Sequence, residues 1–453
     1  MPRWLFTSLL GLGGIAALVM AAAPHSLSGP LPAATRDPVA PSTGAFTVST
    51  DLDYAALIDG AATSRNLVVT IRAAATDTAT TRTPVDLAVV VDTSGSMNDE
   101  GKFDEARRAM HALALQLADS DQLSLVTFSS FTSSPVALGP AAQTGPLAAA
   151  LLDRTTPGGS TFLSGGLNSG FTSLNGAAGI SGRVRRVLLM TDGRANQGVV
   201  DTTGLGMLAR AHDGVSVSTI GMGLDYDEGM LSAVADAGGG DYHYVGRDTD
   251  LAAVYAEELQ SASTVVATAA TLDVELPNGV HATHACSWSS ESTATGLRIH
   301  VGDLSAGQTR TIVIPITVDA DFDGTIANLA LNATSTAGGA LTAATTAPEV
   351  PRVAAADVES YEHAEADAAA TRALAGEAVE HAREAWNRGD DVEAKALLSS
   401  GSEYVRSKRA DARMDAKDVT AMDGDLQQLE SLGYMNSAQG VKAASTVSRK
   451  MSR

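Results

Sequence analysis

The chain has 453 residues, room for about three domains at roughly 150 residues each, and 44% of them are apolar, enough to build cores. A net charge of −21 with no basic block argues against nucleic acid or an anionic membrane surface as partner, because both need positive charge against phosphate. The single cysteine, Cys286, excludes an internal disulfide and a four-cysteine zinc site, and reads as a small apolar residue in a strand.

Residues 1–23 have the pattern of a secretory signal. Arg3 precedes the uncharged, mostly apolar run Leu9 to Ala23, which ends in Ala21, Ala22 and Ala23. The rival reading is an uncleaved anchor, since Leu5 to Ala23 is just short of the roughly 20 residues a span needs. That anchor is the only membrane contact expected, and export makes the protein secreted, periplasmic or surface-bound. Residues 24–45 are a Pro-rich linker. Within 46–83, Phe46 to Ser49 and Asn66 to Ala73 read as strands separated by a turn at Asp59-Gly60.

From 84 to 261, buried-strand runs alternate with helical patterns. The strands are Val85 to Val91, Gln122 to Phe128, Val184 to Met190, Val215 to Ile220 and, more weakly, Tyr242 to Val245. The helix candidates are Phe103 to Ala118, Gly145 to Leu152, Phe162 to Leu174, Thr203 to Ala211, Asp227 to Ala237 and Asp248 to Gln260. This alternation predicts an α/β fold with a doubly wound, mostly parallel sheet, whose functional loops sit at the carboxyl ends of the strands. Residues 262–353 alternate in Thr, Ser and apolar residues and read as a β-sandwich, which the early strands at 46–75 are expected to complete. Residues 354–438 read as a helical hairpin or bundle: a helix over 357–386, a stop at Asn387 to Asp390, a second helix over Asp391 to Leu398, and one or two more between Tyr404 and Leu432. Residues 439–453 read as a frayed tail.

Three separated loops carry the chemistry. Asp92 to Met97 (DTSGSM) follows the first α/β strand, Pro157 to Leu167 opens a helix, and Thr191 to Asn196 (TDGRAN) follows the strand VRRVLLM. All three are expected above the same sheet edge. Asp92-x-Ser94-x-Ser96, a hydroxyl from the second loop and Asp192 make an oxygen-only cluster. Such a donor set suits a hard divalent ion, Mg²⁺ or Mn²⁺, with Ca²⁺ as a further candidate.

This layout resembles the von Willebrand factor type A domain and its metal-ion-dependent adhesion site, whose motif is D-x-S-x-S, a distant Thr and a distant Asp in T-D-G. Asp92, Ser94 and Ser96 match the first part and Asp192 the last. Thr161, with Gly166-Leu167 five and six residues on, matches the second, although Ser160 and Phe162 depart from the usual neighbours. The resemblance implies that the Ser and Thr hydroxyls bind the metal directly, that the aspartates bind it largely through water, and that an acidic side chain of a protein partner completes the coordination. The order of segments also resembles bacterial extracytoplasmic proteins of this family. The expected function is a carboxylate-recognising adhesion module. The alternative is a scaffolding component of an envelope complex in which the metal site is structural or regulatory.

Other constellations are weaker. Asp319-x-Asp321-x-Asp323-Gly324 has the start of a calcium loop but Ala330 where the closing Glu would stand, and reads as an acidic turn. His281, His284 and Cys286 have a ligand-like spacing, but the segment reads as strand and loop. Asp423, Asp425 and Glu430 read as a solvated helix face. No GxxxxGK[ST], GxSxG or HExxH pattern occurs, so no enzyme is expected.

Overall fold

The structure is a computed structural model and describes residues 45–75, 82–175, 182–212, 214–223, 226–246, 250–410, 414–435, 440–441, 443–444, 447–448 and 451. The signal and almost all of the Pro-rich linker lie outside the described residues, as does most of the expected tail. Among the described residues no helix is long and apolar enough to cross a membrane.

Three strands come first: β1 (Phe46–Leu52), the two-residue β2 (Leu57–Ile58) and β3 (Thr63–Ala73). An α/β unit follows, made of β4 (Val85–Asp92), α1 (Lys102–Gln116), β5 (Gln122–Phe128), β6 (Thr132–Pro140), α2 (Ala141–Arg154) and α3 (Leu163–Leu174). It continues through β7 (Val184–Thr191), α4 (Thr202–Arg210), β8 (Val215–Met222), α5 (Glu228–Ala237), β9 (Gly239–Val245) and α6 (Leu251–Ser263). Then come β10 (Val265–Glu275), β11 (Val280–Ala282), β12 (Ser290–Ser292), β13 (Gly296–Ser305), β14 (Thr309–Val318), β15 (Asn328–Ser335), β16 (Ala340–Thr346) and β17 (Arg352–Val353). Three long helices follow among the described residues, α7 (Ala364–Asn387), α8 (Asp391–Arg409) and α9 (Ala416–Gly433), and the described residues from Gly440 on are helical too, with Val441, Ala444 and Met451 buried in the same core.

The central sheet has the order β6-β5-β4-β7-β8-β9, parallel except for β6. Its middle strand β4 is buried at every position, as a strand covered on both faces must be. Val85, Leu87, Val89 and Val91 pack beneath α1, α2 and α6, while Ala88 and Val90 point the other way against α3 and its neighbours α4 and α5. Helix α3 lies close because Gly170 has no side chain; a Cβ there would stand 2.8 Å from Val90 Cγ2. Strand β6 is absent from the sequence reading. Its run TSSPVALGP has one buried apolar residue, Val136, and two prolines, a composition tolerated only at a sheet edge.

Strands from both sides of the α/β unit share the sandwich. One sheet runs β1-β3-β14-β11 and the other β12-β13-β10-β15-β16. β3 pairs antiparallel with β14 from Arg72↔Thr309 to Thr63↔Val318. Leu67, Val69 and Ile71 of β3 therefore bury their faces with Ile312, Ile314, Leu272, Ile299 and Leu331. The α/β unit is inserted into the sandwich. The acidic segment 319–324 is the turn between β14 and β15.

Helix α7 covers the outer face of the β3–β14 pair. Ala366, Ala370 and Ala373 pack on Val68, Val313 and Cys286. The helix begins at Ala364, later than expected, after a 3₁₀ segment over Ala355–Tyr361. Helix α8 runs unbroken through Ser399-Ser400-Gly401-Ser402, where the sequence suggested a gap. Gly401 allows close approach to α7, 3.4 Å from its would-be Cβ to Ala378, so packing overrides local propensity. Asp425 is not on a solvated face: it is buried and takes the Arg372 guanidinium at 2.6 Å, while Asp423 and Glu430 remain half exposed beside Arg409 and Arg406.

A buried polar hub joins the α/β unit to the sandwich. Arg186 of β7 donates to Glu258 of α6 (3.0 Å), to Asp303 of β13 (3.1 Å) and to Ser216 (3.0 Å). Replacing it leaves Asp303 buried without this cation and Glu258 with only His243 and Ser218. Arg186→Leu is expected to cost about 3–5 kcal/mol in urea unfolding; a cost near that of an ordinary surface change would show that the hub does not hold the layers together.

Candidate metal centre at the carboxyl edge of the central sheet

Asp92 is the last residue of β4, and Asp192 follows the last residue of β7, its direct neighbour in the sheet. Both are fully buried. The chain after Asp92 turns so that the Ser94 N–H donates to Asp92 Oδ1 at 2.7 Å, and the Thr191 hydroxyl donates to Asp92 Oδ2. Ser94 Oγ lies 3.2 Å from Ser96 Oγ, and the Ser96 hydroxyl donates to Asp192 Oδ1 at 2.7 Å.

The second loop is stitched to the first by two main-chain bonds and one side-chain amide. Gly95 N–H donates to Gly159 O (3.2 Å), Gly158 N–H to Thr93 O (2.7 Å), and Asn98 Nδ2 to Pro157 O (3.1 Å). Thr161 is tied to the third loop in both directions: its N–H donates to Asn196 Oδ1 (2.9 Å), and Asn196 N–H donates to Thr161 O (3.2 Å). A Cβ on Gly193 would lie 3.1 Å from Thr161 Oγ1 and 3.6 Å from Ser96 Oγ, so both hydroxyls border one bare glycine. The structure thus brings Asp92, Ser94, Ser96, Thr161 and Asp192 to one place. Ser160, the competing hydroxyl, is exposed, whereas Thr161 is buried.

Lys102 is a member of the cluster that sequence reasoning missed. It is the first residue of α1, buried, and its ammonium donates to Asp192 Oδ2 at 2.7 Å. Asp192 is therefore held between a hydroxyl on one oxygen and a cation on the other. The available signal was a lysine at the mouth of an amphipathic helix just after the DTSGSM loop, which local patterning reads as an ordinary solvated helix start.

The donors of the five residues are carboxylate and hydroxyl oxygens, which suit a hard divalent ion. The electrostatics agree. Burial pushes the Asp92 carboxyl up to about 6 and the Asp192 charge adds to this, against the Thr191 hydroxyl and Ser94 N–H, which favour the carboxylate. A cation beside Asp92 would offset that desolvation.

The weaker constellation of His281, His284 and Cys286 does not assemble as a set. His281 is exposed and stands 3.3 Å from Asp319, away from Cys286, which lies in the link after β11 and not in a strand. His284 and Cys286 do come together, with Glu377 of α7.

The raised Asp92 carboxyl has a pH consequence in metal-free protein. The fold favours the protonated acid, so this carboxyl's contribution to stability is fully present below about pH 4 and is lost as pH rises through about 6, in total about 3 kcal/mol. Asp92→Asn lacks this titration. In EDTA, the stability of the wild type is expected to fall relative to Asp92→Asn between pH 4 and 6 and then to run parallel; a constant difference across that window would refute the assignment.

Comparison with known proteins agrees with the fold that carries this site. Residues 86–261 match the model of the von Willebrand factor type A domain. Among curated proteins, the uncharacterized protein YfbK of Escherichia coli is 25% identical over 250 residues, 52% of this chain and 42% of that protein. The uncharacterized protein sll0103 of Synechocystis sp. is 28% identical over 223 residues, 49% of this chain and 52% of that protein. The chain thus matches about half the length of these relatives. Among solved structures, a von Willebrand factor type A protein from Catenulispora acidiphila is similar with a TM-score of 0.67 at 16% identity, over 88% of this chain and 91% of that one. The ArnB paralog VWA2 from Sulfolobus acidocaldarius is similar with a TM-score of 0.61 at 14% identity, over 90% and 98%. Both likenesses are of fold and extend well beyond the α/β unit. The sheet order, the loops at its carboxyl edge and the family match together establish that this chain carries a von Willebrand factor type A domain across residues 86–261.

Proposed function

We propose that the protein is an exported protein-binding module and not an enzyme. Its type A domain would hold one divalent ion, Mg²⁺ or, by the same donor chemistry, Mn²⁺ or Ca²⁺, through Asp92, Ser94, Ser96, Thr161 and Asp192. The ion would then engage an acidic side chain of a partner protein. The observation that carries this reading is the meeting of the five oxygen donors with the Lys102 ammonium. Two carboxylates, one ammonium and a divalent ion sum to a single positive charge, which favours an anionic oxygen as the last ligand.

Two further features support the class. Domains of this family commonly serve as protein-interaction modules. Beside the loops stands an exposed aromatic side chain, Phe131, 82% accessible. Its carbonyl accepts the Ser129 N–H, the next residue's hydroxyl, Ser130 Oγ, takes the Ser160 N–H at 3.0 Å, and Ser129 O takes the Phe162 N–H. An aromatic anchor beside a charged centre is the arrangement that dominates many interfaces. Export rests on the N-terminal signal pattern alone. The net charge of −21 would repel an acidic partner at long range, but salt screens that beyond about 8 Å, leaving the ion to govern the contact.

The test is metal titration and partner capture with the full chain. Calorimetry after EDTA treatment is expected to give one Mg²⁺ site that Asp92→Ala abolishes. Lys102→Met is expected to tighten Mg²⁺, because it removes the cation competing for Asp192, and yet to weaken capture of an envelope partner. Phe131→Ala should weaken capture by about 1 kcal/mol or more with metal affinity unchanged. Capture that survives both EDTA and Asp192→Ala would place the interface elsewhere and put the scaffolding reading ahead.

A further inference from the structure

Away from the type A site, one group of side chains has the donors and the spacing of a transition-metal site. His284 and Cys286 lie in the link between β11 and β12, and Glu377 faces them from α7, 91 residues beyond Cys286. His284 Nε2 is 2.8 Å from Glu377 Oε1, and Cys286 Sγ is 3.5 Å from Glu377 Oε2. One donor atom from each of the three lies within 4.8 Å of the others. His381, one turn further along α7, places Nε2 3.9 Å from Glu377 Oε1.

We infer that His284, Cys286 and Glu377 form a Zn²⁺ site that clamps helix α7 to the sandwich, its fourth position open to water. Zinc–nitrogen and zinc–sulfur bonds of about 2.0–2.3 Å put tetrahedral ligands roughly 3.3–3.8 Å apart, so the three donors, all within 4.8 Å of one another, need move by only about 1 Å. Sulfur, imidazole and carboxylate together select a borderline ion, unlike the all-oxygen site at the sheet edge.

The supporting shell is in place. Thr283 Oγ1 lies 3.0 Å from His284 Nδ1, the atom opposite the proposed ligand nitrogen, and so orients the ring. Cys286 is fixed by its N–H, which donates to Val313 O at 2.9 Å, and is buried where α7 meets β3 and β14. The Cys286 thiol, buried among apolar neighbours, donates to the same carboxylate that pairs with His284, so imidazole, sulfur and carboxylate converge on one point. His284, Glu377 and His381 are partly exposed, which gives an ion a path inward.

Cobalt is the direct probe, because a thiolate bound to Co²⁺ gives an intense near-ultraviolet charge-transfer band. The chain has one cysteine, so that band reports Cys286 and nothing else, and the oxygen-only site cannot produce it. Titrating Co²⁺ into the EDTA-treated full chain is expected to raise the band to one equivalent, with Zn²⁺ displacing it. His284→Ala and Glu377→Gln should each weaken Co²⁺ by at least the roughly tenfold that a lost supporting contact costs. Cys286→Ser should lose the band. No band in folded wild type at excess Co²⁺ overturns the site. So does a band whose affinity is unchanged in both the His284 and Glu377 variants, since that is a lone thiol binding metal unaided.

Discussion

Two buried carboxylates at the ends of adjacent parallel strands set the terms for the type A domain. β4 and β7 run side by side, so Asp92 and Asp192 emerge together at the carboxyl edge. Like charges at this separation and depth are costly, and every nearby feature answers that cost. Thr191 and the Ser94 N–H serve Asp92, while Ser96 and Lys102 serve Asp192. The hydroxyls do this without adding charge. The second loop is then drawn in by main-chain bonds to the first and by Asn196 from the third.

The same sheet depends on the layers around it. β4 can be apolar on both faces only because helices cover both, and the ends of that unit must return to one place. They do so through β3 and β14, which pair across a separation that contains the whole α/β unit. Arg186 adds an electrostatic tie at that junction, between β7, α6 and β13. Such a group is costly to break, because removing one partner leaves the others buried and uncompensated. The three C-terminal helices extend this arrangement. Small residues on α7 let it lie flat on the outer face of β3 and β14, and that closeness brings Glu377 to Cys286.

The sequence by itself determined the features that depend on neighbours along the chain. Runs such as VDLAVVV and VRRVLLM are strands because their apolar density is useful only in a sheet covered on both faces. The helix over Lys102–Gln116 follows from apolar residues recurring each turn. The order DxSxS, Thr, Asp carried the type A resemblance, and strand ends place those residues at one edge. Tertiary structure decided what no local pattern encodes. β6 is a strand because β5 offers an edge, and α8 passes through Ser-Ser-Gly-Ser because α7 packs against it. Lys102 belongs to the site because of a carboxylate 90 residues away, and Asp425 is buried because Arg372 meets it there. Glu377, with no spacing to announce it, replaces His281 beside His284 and Cys286. Periodicity reports which face of an element is buried; a charge or a ligand finds its partner through space, and that distance exists only once the chain has folded.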